Sequence, residues 1–124
     1  MQLEISEAAK LMKLKPHTLR YYESVGLIKD IKRNEAGKRD YSEEDLRWLE
    51  VINRLRATGM PISKMQEYAR LRHLGDETIP QRRNILEAHL RAIEKEMELL
   101  TEAKNYVEKK IEIYNEMEEK LNGK

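Results

Sequence analysis

Cysteine and phenylalanine are both missing from the 124 residues. Without cysteine there are no disulfides, thiolate metal sites, cysteine nucleophiles or thiol redox sensors. Five glycines, three prolines and an aromatic content of 6% argue against an all-β sandwich, which needs many turns and an aromatic core. No apolar run approaches the roughly 18 residues of a membrane span, and the N-terminus lacks a signal-peptide pattern. The expectation is a soluble, cytoplasmic, mainly α protein: one small domain with a helical extension. Enzyme signatures are missing too: no Gly-rich phosphate loop, no His–Glu pair at metal spacing, no serine in a nucleophile elbow. His17, His73 and His89 fall on three separate elements and make a poor metal set. Neither catalysis nor a cofactor is expected.

What is abundant is charge. Asp, Glu, Lys and Arg make up 38% of the chain with a net charge of only +1, but the balance is uneven. Residues 10–40 hold nine Lys+Arg against four Asp+Glu, whereas residues 75–124 carry nine against twelve. A basic front half joined to an acidic rear half points to a polyanion site on one module only.

The front half reads as two short helices and a ribbon. Ser6 is the expected N-cap of a first helix whose apolar face is Ile5, Ala8, Ala9 and Met12. Pro16 opens a second, running to about Ser24 with Leu19 inward and Gly26 as its stop. Asp30 to Asp40, with Gly37 between two basic pairs, reads as a two-stranded ribbon. Ser42 and Asp45 form a capping box for a third helix with Leu46, Leu49, Ile52 and Leu55 inward, ending at Gly59. Pro61 opens a fourth, with Ile62, Met65, Tyr68 (or Ala69) and Leu71 inward, stopping near Gly75.

The rear half changes period. Thr78 and Gln81 read as a capping box, with Pro80 in the first turn. Leu86, Ile93, Leu100, Val107, Tyr114 and Leu121 then recur every seven residues, accompanied by Leu90, Met97, Lys104 and Ile111. Lys104 is the one polar residue in this seam. Such a stripe needs a second helix, and no other long helix exists in the chain, so a homodimeric coiled coil is expected. The expected domains are 1–75 and 76–124. Pattern alone leaves two functional readings open: a DNA-binding dimer, or a coiled-coil adaptor that binds protein and whose basic patch is incidental.

One run is more specific. Thr18-Leu19-Arg20-Tyr21-Tyr22-Glu23, with Gly26-Leu27-Ile28, Arg39-Asp40-Tyr41-Ser42, Gly59-Met60-Pro61-Ile62 and the closing long helix, resembles the MerR family of bacterial transcription regulators. The resemblance implies a winged helix-turn-helix on a dimerising helix. Pro16, His17, Thr18, Arg20, Tyr21 and Tyr22 would then lie on the recognition helix in the major groove, with Lys15 just before it. Arg20 and Tyr22 would grip backbone, and His17 and Thr18 would sit nearest base edges. Lys32, Arg33, Lys38, Arg39 and Tyr41 would form the first wing. Ser63 and Lys64 would belong to the second. The resemblance further implies double-stranded promoter DNA as partner, an antiparallel homodimer, distortion of the promoter spacer, and an effect on RNA polymerase through the promoter. Lys13 and Lys15 depart from the pattern, standing where relatives often carry a glycine and a capping serine or threonine. Short members that answer aldehydes or electrophiles tend to carry a lone cysteine in the third helix, where this chain has Arg54. A small-molecule effector, if used, would need a groove between the long helix of one subunit and the third and fourth helices of the other. Trp48, Tyr68 and Tyr106 are the aromatic candidates to line it, though as core residues they need no ligand.

Overall fold

The computed structural model describes residues 3–123. Its elements in order are β1 (Leu3–Glu4), α1 (Ile5–Leu11), α2 (Pro16–Ser24), β2 (Lys32–Arg33), β3 (Arg39–Tyr41), α3 (Glu43–Ala57), α4 (Ile62–Leu74), a 3-10 turn (Asp76–Thr78) and α5 (Ile79–Asn122). The mainly α architecture and the expected order of helices are both found. β1 was not expected. It pairs antiparallel with β3 (Leu3 opposite Tyr41), and β3 also pairs antiparallel with β2 (Lys32 opposite Asp40), so the ribbon is a three-stranded sheet ordered β1-β3-β2.

Helix starts follow local chemistry. At α3 the Ser42 hydroxyl accepts from the Asp45 N–H at 3.1 Å while the Asp45 carboxylate accepts from the Ser42 N–H at 2.9 Å. This reciprocal box satisfies two otherwise orphaned donors. At α1 the cap is Glu4, boxed with Glu7, and Ser6 lies inside the helix. The strand β1 ends at Glu4, and so moves the helix start two residues earlier than the sequence suggested. Thr78 and Gln81 form no capping box. The Thr78 hydroxyl instead donates to the Leu71 and Gly75 carbonyls at 2.6 and 2.7 Å, and accepts from Arg82 Nε at 3.1 Å. Thr78 thereby satisfies the end of α4 rather than the start of α5.

Three helices end alike. Leu14, Leu27 and Met60 each return an N–H to the carbonyl five residues back, on Ala9, Tyr22 and Leu55. This closure requires a left-handed residue just before the donor. Gly26 (φ +82°) and Gly59 (φ +86°) supply it at two ends, but at the third it is Lys13, at φ +58°. A β-carbon in that region costs about 1–2 kcal/mol.

Two compact units divide between Leu86 and Glu87. The first takes in residues of α5 up to Leu86, with Ile85 packed on the core. Its core joins Ala8 and Ala9 of α1, Leu19 and Tyr22 of α2, Leu27, Ile28, Tyr41, the Leu46/Leu49/Ile52/Leu55 stripe of α3, and Met65, Tyr68 and Ala69 of α4. Leu71 is also buried, but Ile62, expected inward, is 39% exposed. It is the first residue of α4, a turn before Met65 commits the helix face to the core. Trp48 fixes the centre. Its Nε1 donates to the Leu27 carbonyl at 2.7 Å, its ring stacks on Tyr68 at 5.5 Å, and the Arg72 guanidinium covers it at 4.3 Å.

The second unit is α5 from Glu87 onward. The whole helix is 44 residues and buries none of them, about 66 Å at roughly 1.5 Å per residue. Leu90, Met97, Leu100, Val107, Ile111, Tyr114 and Leu121 are all more than half exposed. An apolar stripe of this extent marks an association surface.

Candidate nucleic-acid interface

The helix α2 divides into two faces. Leu19 and Tyr22 turn into the core, whereas His17, Arg20, Tyr21 and Ser24 are exposed. Those four recur at i, i+3, i+4 and i+7 and so share one stripe. Pro16 and Thr18 are half-buried beside it, and Lys15 is exposed immediately before the helix. Lys15 is also the N-cap residue and offers no side-chain hydrogen bond to the first turn. The stripe thus presents an imidazole, a guanidinium, a phenol and a hydroxyl, with the Lys15 ammonium just before it and no carboxylate among them. These are donors suited to phosphate oxygens and base edges.

The ribbon supplies more positive charge. Lys32, Arg33 and Lys38 are exposed around its tip. The tip is built by Asn34, whose Oδ1 accepts from the Ala36 and Lys38 N–H groups at 3.0 Å each, with Gly37 left-handed at φ +79°. Arg33 Nη1 donates to the Gly37 carbonyl at 2.8 Å, which holds its guanidinium along the tip.

Three residues expected at the interface have other positions. Tyr22 is 1% exposed. Its hydroxyl donates to Asn53 Oδ1 at 3.4 Å and accepts from Arg56 Nη1 at 3.2 Å. It is a core residue with a tethered polar tip. Tyr41 is fully buried, and its hydroxyl has no partner among the described residues. Burial raises the Tyr41 pKa, with the Glu23 charge adding to the effect. Tyr22 and Tyr41 are the two largest fully buried side chains among the described residues, each spending its aromatic body on the core. Arg39 is half-buried, and its Nε donates to Glu23 Oε1 at 2.7 Å. That hydrogen bond holds the Arg39 pKa above its ordinary value. Arg39 therefore fastens the ribbon to α2.

Ser63 and Lys64 are exposed in the first turn of α4, where Pro61 gives no side-chain cap, and Lys64 lies 3.7 Å from Glu67. Arg54 is exposed and pairs with Glu50 at 3.2 Å. Of the aromatic candidates for an effector groove, Trp48 and Tyr68 are core, while Tyr106 is 72% exposed. Among the described residues no group of three His, Asp or Glu side chains could hold a metal.

Sequence reasoning passed over Asn53 and Arg56. Asn53 Nδ2 donates to the Met12 carbonyl at 3.2 Å, so Asn53, Arg56 and the Tyr22 hydroxyl together tie the end of α1 and the middle of α2 to α3. Their i, i+3 spacing on α3 was the available signal, but only packing brings that pair to Tyr22.

The family description MerR HTH family regulatory protein matches residues 3–71, and MerR, DNA binding matches residues 46–109. The chain belongs to the MerR family. It is 46% identical over 84 residues to the HTH-type transcriptional regulator AdhR of Bacillus subtilis (strain 168), a match covering 68% of this chain and 60% of AdhR. This chain thus spans less than two thirds of AdhR's length. Among solved structures, a MerR family transcriptional regulator from Listeria monocytogenes matches at TM-score 0.86 and 33% identity, covering 91% of this chain and 86% of that one. HiNmlR, a MerR family regulator lacking the sensor domain and bound to promoter DNA, matches at TM-score 0.85 and 28% identity, covering 94% of this chain and 92% of that one. The winged helix-turn-helix expected from the resemblance is therefore the fold, with α1 and α2 as the helix-turn-helix and the β2–β3 ribbon following it. The stripe of His17, Arg20, Tyr21 and Ser24 lies exposed on the second helix of that motif.

Proposed function

We propose that this MerR protein is a homodimeric, sequence-specific regulator that binds double-stranded promoter DNA. The observation that carries this is the exposed stripe of α2 (His17, Arg20, Tyr21 and Ser24 on one face), flanked by Lys15, Lys32, Arg33 and Lys38. Arg20 and the wing cations grip phosphates, and His17 and Thr18 meet base edges. Ser63 and Lys64 supply a further phosphate contact at the start of α4. Two such heads, joined through α5 as an antiparallel coiled coil, read a pseudo-palindrome. Binding distorts the spacer between promoter elements, and RNA polymerase responds to the altered promoter. Such deformation costs a few kcal/mol, offset by many phosphate contacts. The protein acts in the cytoplasm, with no catalytic role, and any small-molecule effector works without thiol chemistry because the chain holds no cysteine. HiNmlR, bound to promoter DNA, supports this over the protein-binding adaptor.

The test is a titration of duplex DNA from the region upstream of the protein's own gene, across a salt series. Affinity falls steeply with salt, and Arg20→Ala weakens it more than tenfold with a slope shallower by about one. No binding at low salt would remove the DNA reading. Leu100→Asp yields monomers in sedimentation and loses specific binding; a mutant that stayed dimeric would overturn the placement of the interface.

A further inference from the structure

Between Leu86 and Tyr114 the seam of α5 carries one charge. Lys104 occupies a position between Leu100 and Val107 that the heptad pattern otherwise fills with apolar residues. Its ammonium lies 2.7 Å from Glu108 Oε1, one turn along the same exposed helix. We propose that Lys104 dictates the direction in which two copies of α5 pair. This rests on the homodimer reading and goes beyond it by naming the residue that excludes the parallel arrangement.

The reason is geometric. In a parallel homodimer each seam residue of the lysine's series faces its own copy, so two ammonium groups would meet inside an apolar seam. Each ammonium keeps its own Glu108 in either arrangement, but bringing the two like charges together inside the seam disfavours the parallel one. In an antiparallel pair the two seam series face each other instead. With the apolar residues overlapped about the middle of the stripe, Lys104 lies opposite Leu100 of the partner subunit. Its alkyl stem then covers apolar surface while the ammonium keeps Glu108 at the rim.

The flanking charges agree. In the parallel arrangement Glu96 would sit beside Thr101, Ala103 beside Glu108 and Lys110 beside Asn115, none an opposite-charge pair, and Arg82, which would sit beside Glu87, is already held by Thr78 and Asp76 of its own chain. The antiparallel overlap sets Glu96 beside Lys110 of the partner subunit, twice by symmetry. It also sets Glu94 beside Glu108 of the partner subunit, a carboxylate that Lys104 already neutralises within its own chain.

The chain contains no cysteine, so introduced cysteines report pairing without background. Leu90→Cys and Tyr114→Cys, each in the full chain, test the arrangement. The antiparallel overlap places these positions opposite one another, and places each far from its own copy. Oxidising an equimolar, re-equilibrated mixture gives the crosslinked dimer, and either variant alone gives less than a tenth as much. Adding Lys104→Leu to Leu90→Cys raises its self-crosslinking at least tenfold, whereas Lys104→Arg, which keeps the charge, does not. Efficient self-crosslinking of Leu90→Cys in the otherwise unaltered chain would show parallel helices and overturn the proposal. So would a crosslinking pattern that Lys104→Leu leaves unchanged, since direction would then be set elsewhere. Either result leaves the homodimer standing. A monomeric unaltered chain in sedimentation overturns both.

Discussion

Arg39 on β3 donates from Nε to Oε1 of Glu23 on α2 at 2.7 Å. The ribbon and the helix are thereby fixed to one another through side chains from two separate elements. Neither partner is fully buried, so the pair is worth at most about 1 kcal/mol in stability. Arg39→Ala is expected to lower stability by about 0.5–1 kcal/mol in urea unfolding, whereas Arg33→Ala, at the exposed tip, leaves it within about 0.5 kcal/mol. Equal effects from the two substitutions would deny Arg39 its fastening role.

The end of α1 gives a prediction of the opposite sign. Lys13 stands left-handed at φ +58° where a glycine is favoured, and Lys15 caps α2 without a side-chain acceptor. Lys13→Gly should stabilise the chain by about 0.5–1 kcal/mol, because relief of the β-carbon clash outweighs the added freedom of the unfolded chain. Lys15→Ser should add about 1 kcal/mol by capping. Both substitutions remove a positive charge beside α2, so DNA affinity and its salt slope should fall as stability rises. Thermal unfolding and a salt-dependent titration of the same proteins check the two directions together.

Tyr22 separates a core role from a contact role. Its ring is buried and its hydroxyl links Asn53 and Arg56. Tyr22→Phe should cost about 1 kcal/mol, and Tyr22→Ala about 3–5 kcal/mol. Tyr21→Ala, on the exposed face, should leave stability within about 0.5 kcal/mol while weakening DNA binding. Trp48→Phe strands the Leu27 carbonyl and should cost about 1–3 kcal/mol. Denaturant midpoints for the four variants would show whether this division holds.

His73 predicts a pH dependence. Burial lowers its pKa below the ordinary value near 6.5, helped by the nearby Arg72 and Lys29 charges and opposed by Asp30. The unfolded chain therefore takes up this proton more readily than the folded one. Its contribution to stability is complete at neutral pH and is lost as the pH falls through the ordinary histidine range towards the depressed folded value. Unfolding midpoints between pH 7.5 and 5.5 should decline for the native chain and decline less for His73→Gln. Parallel curves for the two would refute the assignment.

The sequence by itself determined the order of the helices, the cap of α3 and the inward stripes apart from Ile62. These depend on residues three or four apart along one chain, and the Ser42–Asp45 box and the Leu46/Leu49/Ile52/Leu55 stripe were legible for that reason. The exposed face of α2 was legible for the same reason, once Leu19 was placed inward. Tertiary structure alone decided what depends on distant partners. It added β1 to the ribbon by pairing Leu3 with Tyr41, which shifted the start of α1 to Glu4. It drew Tyr22 and Tyr41 into the core, and joined the Tyr22 hydroxyl to Asn53 and Arg56, 31 and 34 residues away. It turned Arg39 towards Glu23 and Thr78 back towards Leu71. Local spacing says which way a side chain leaves its own helix; only the packed elements say what it meets there.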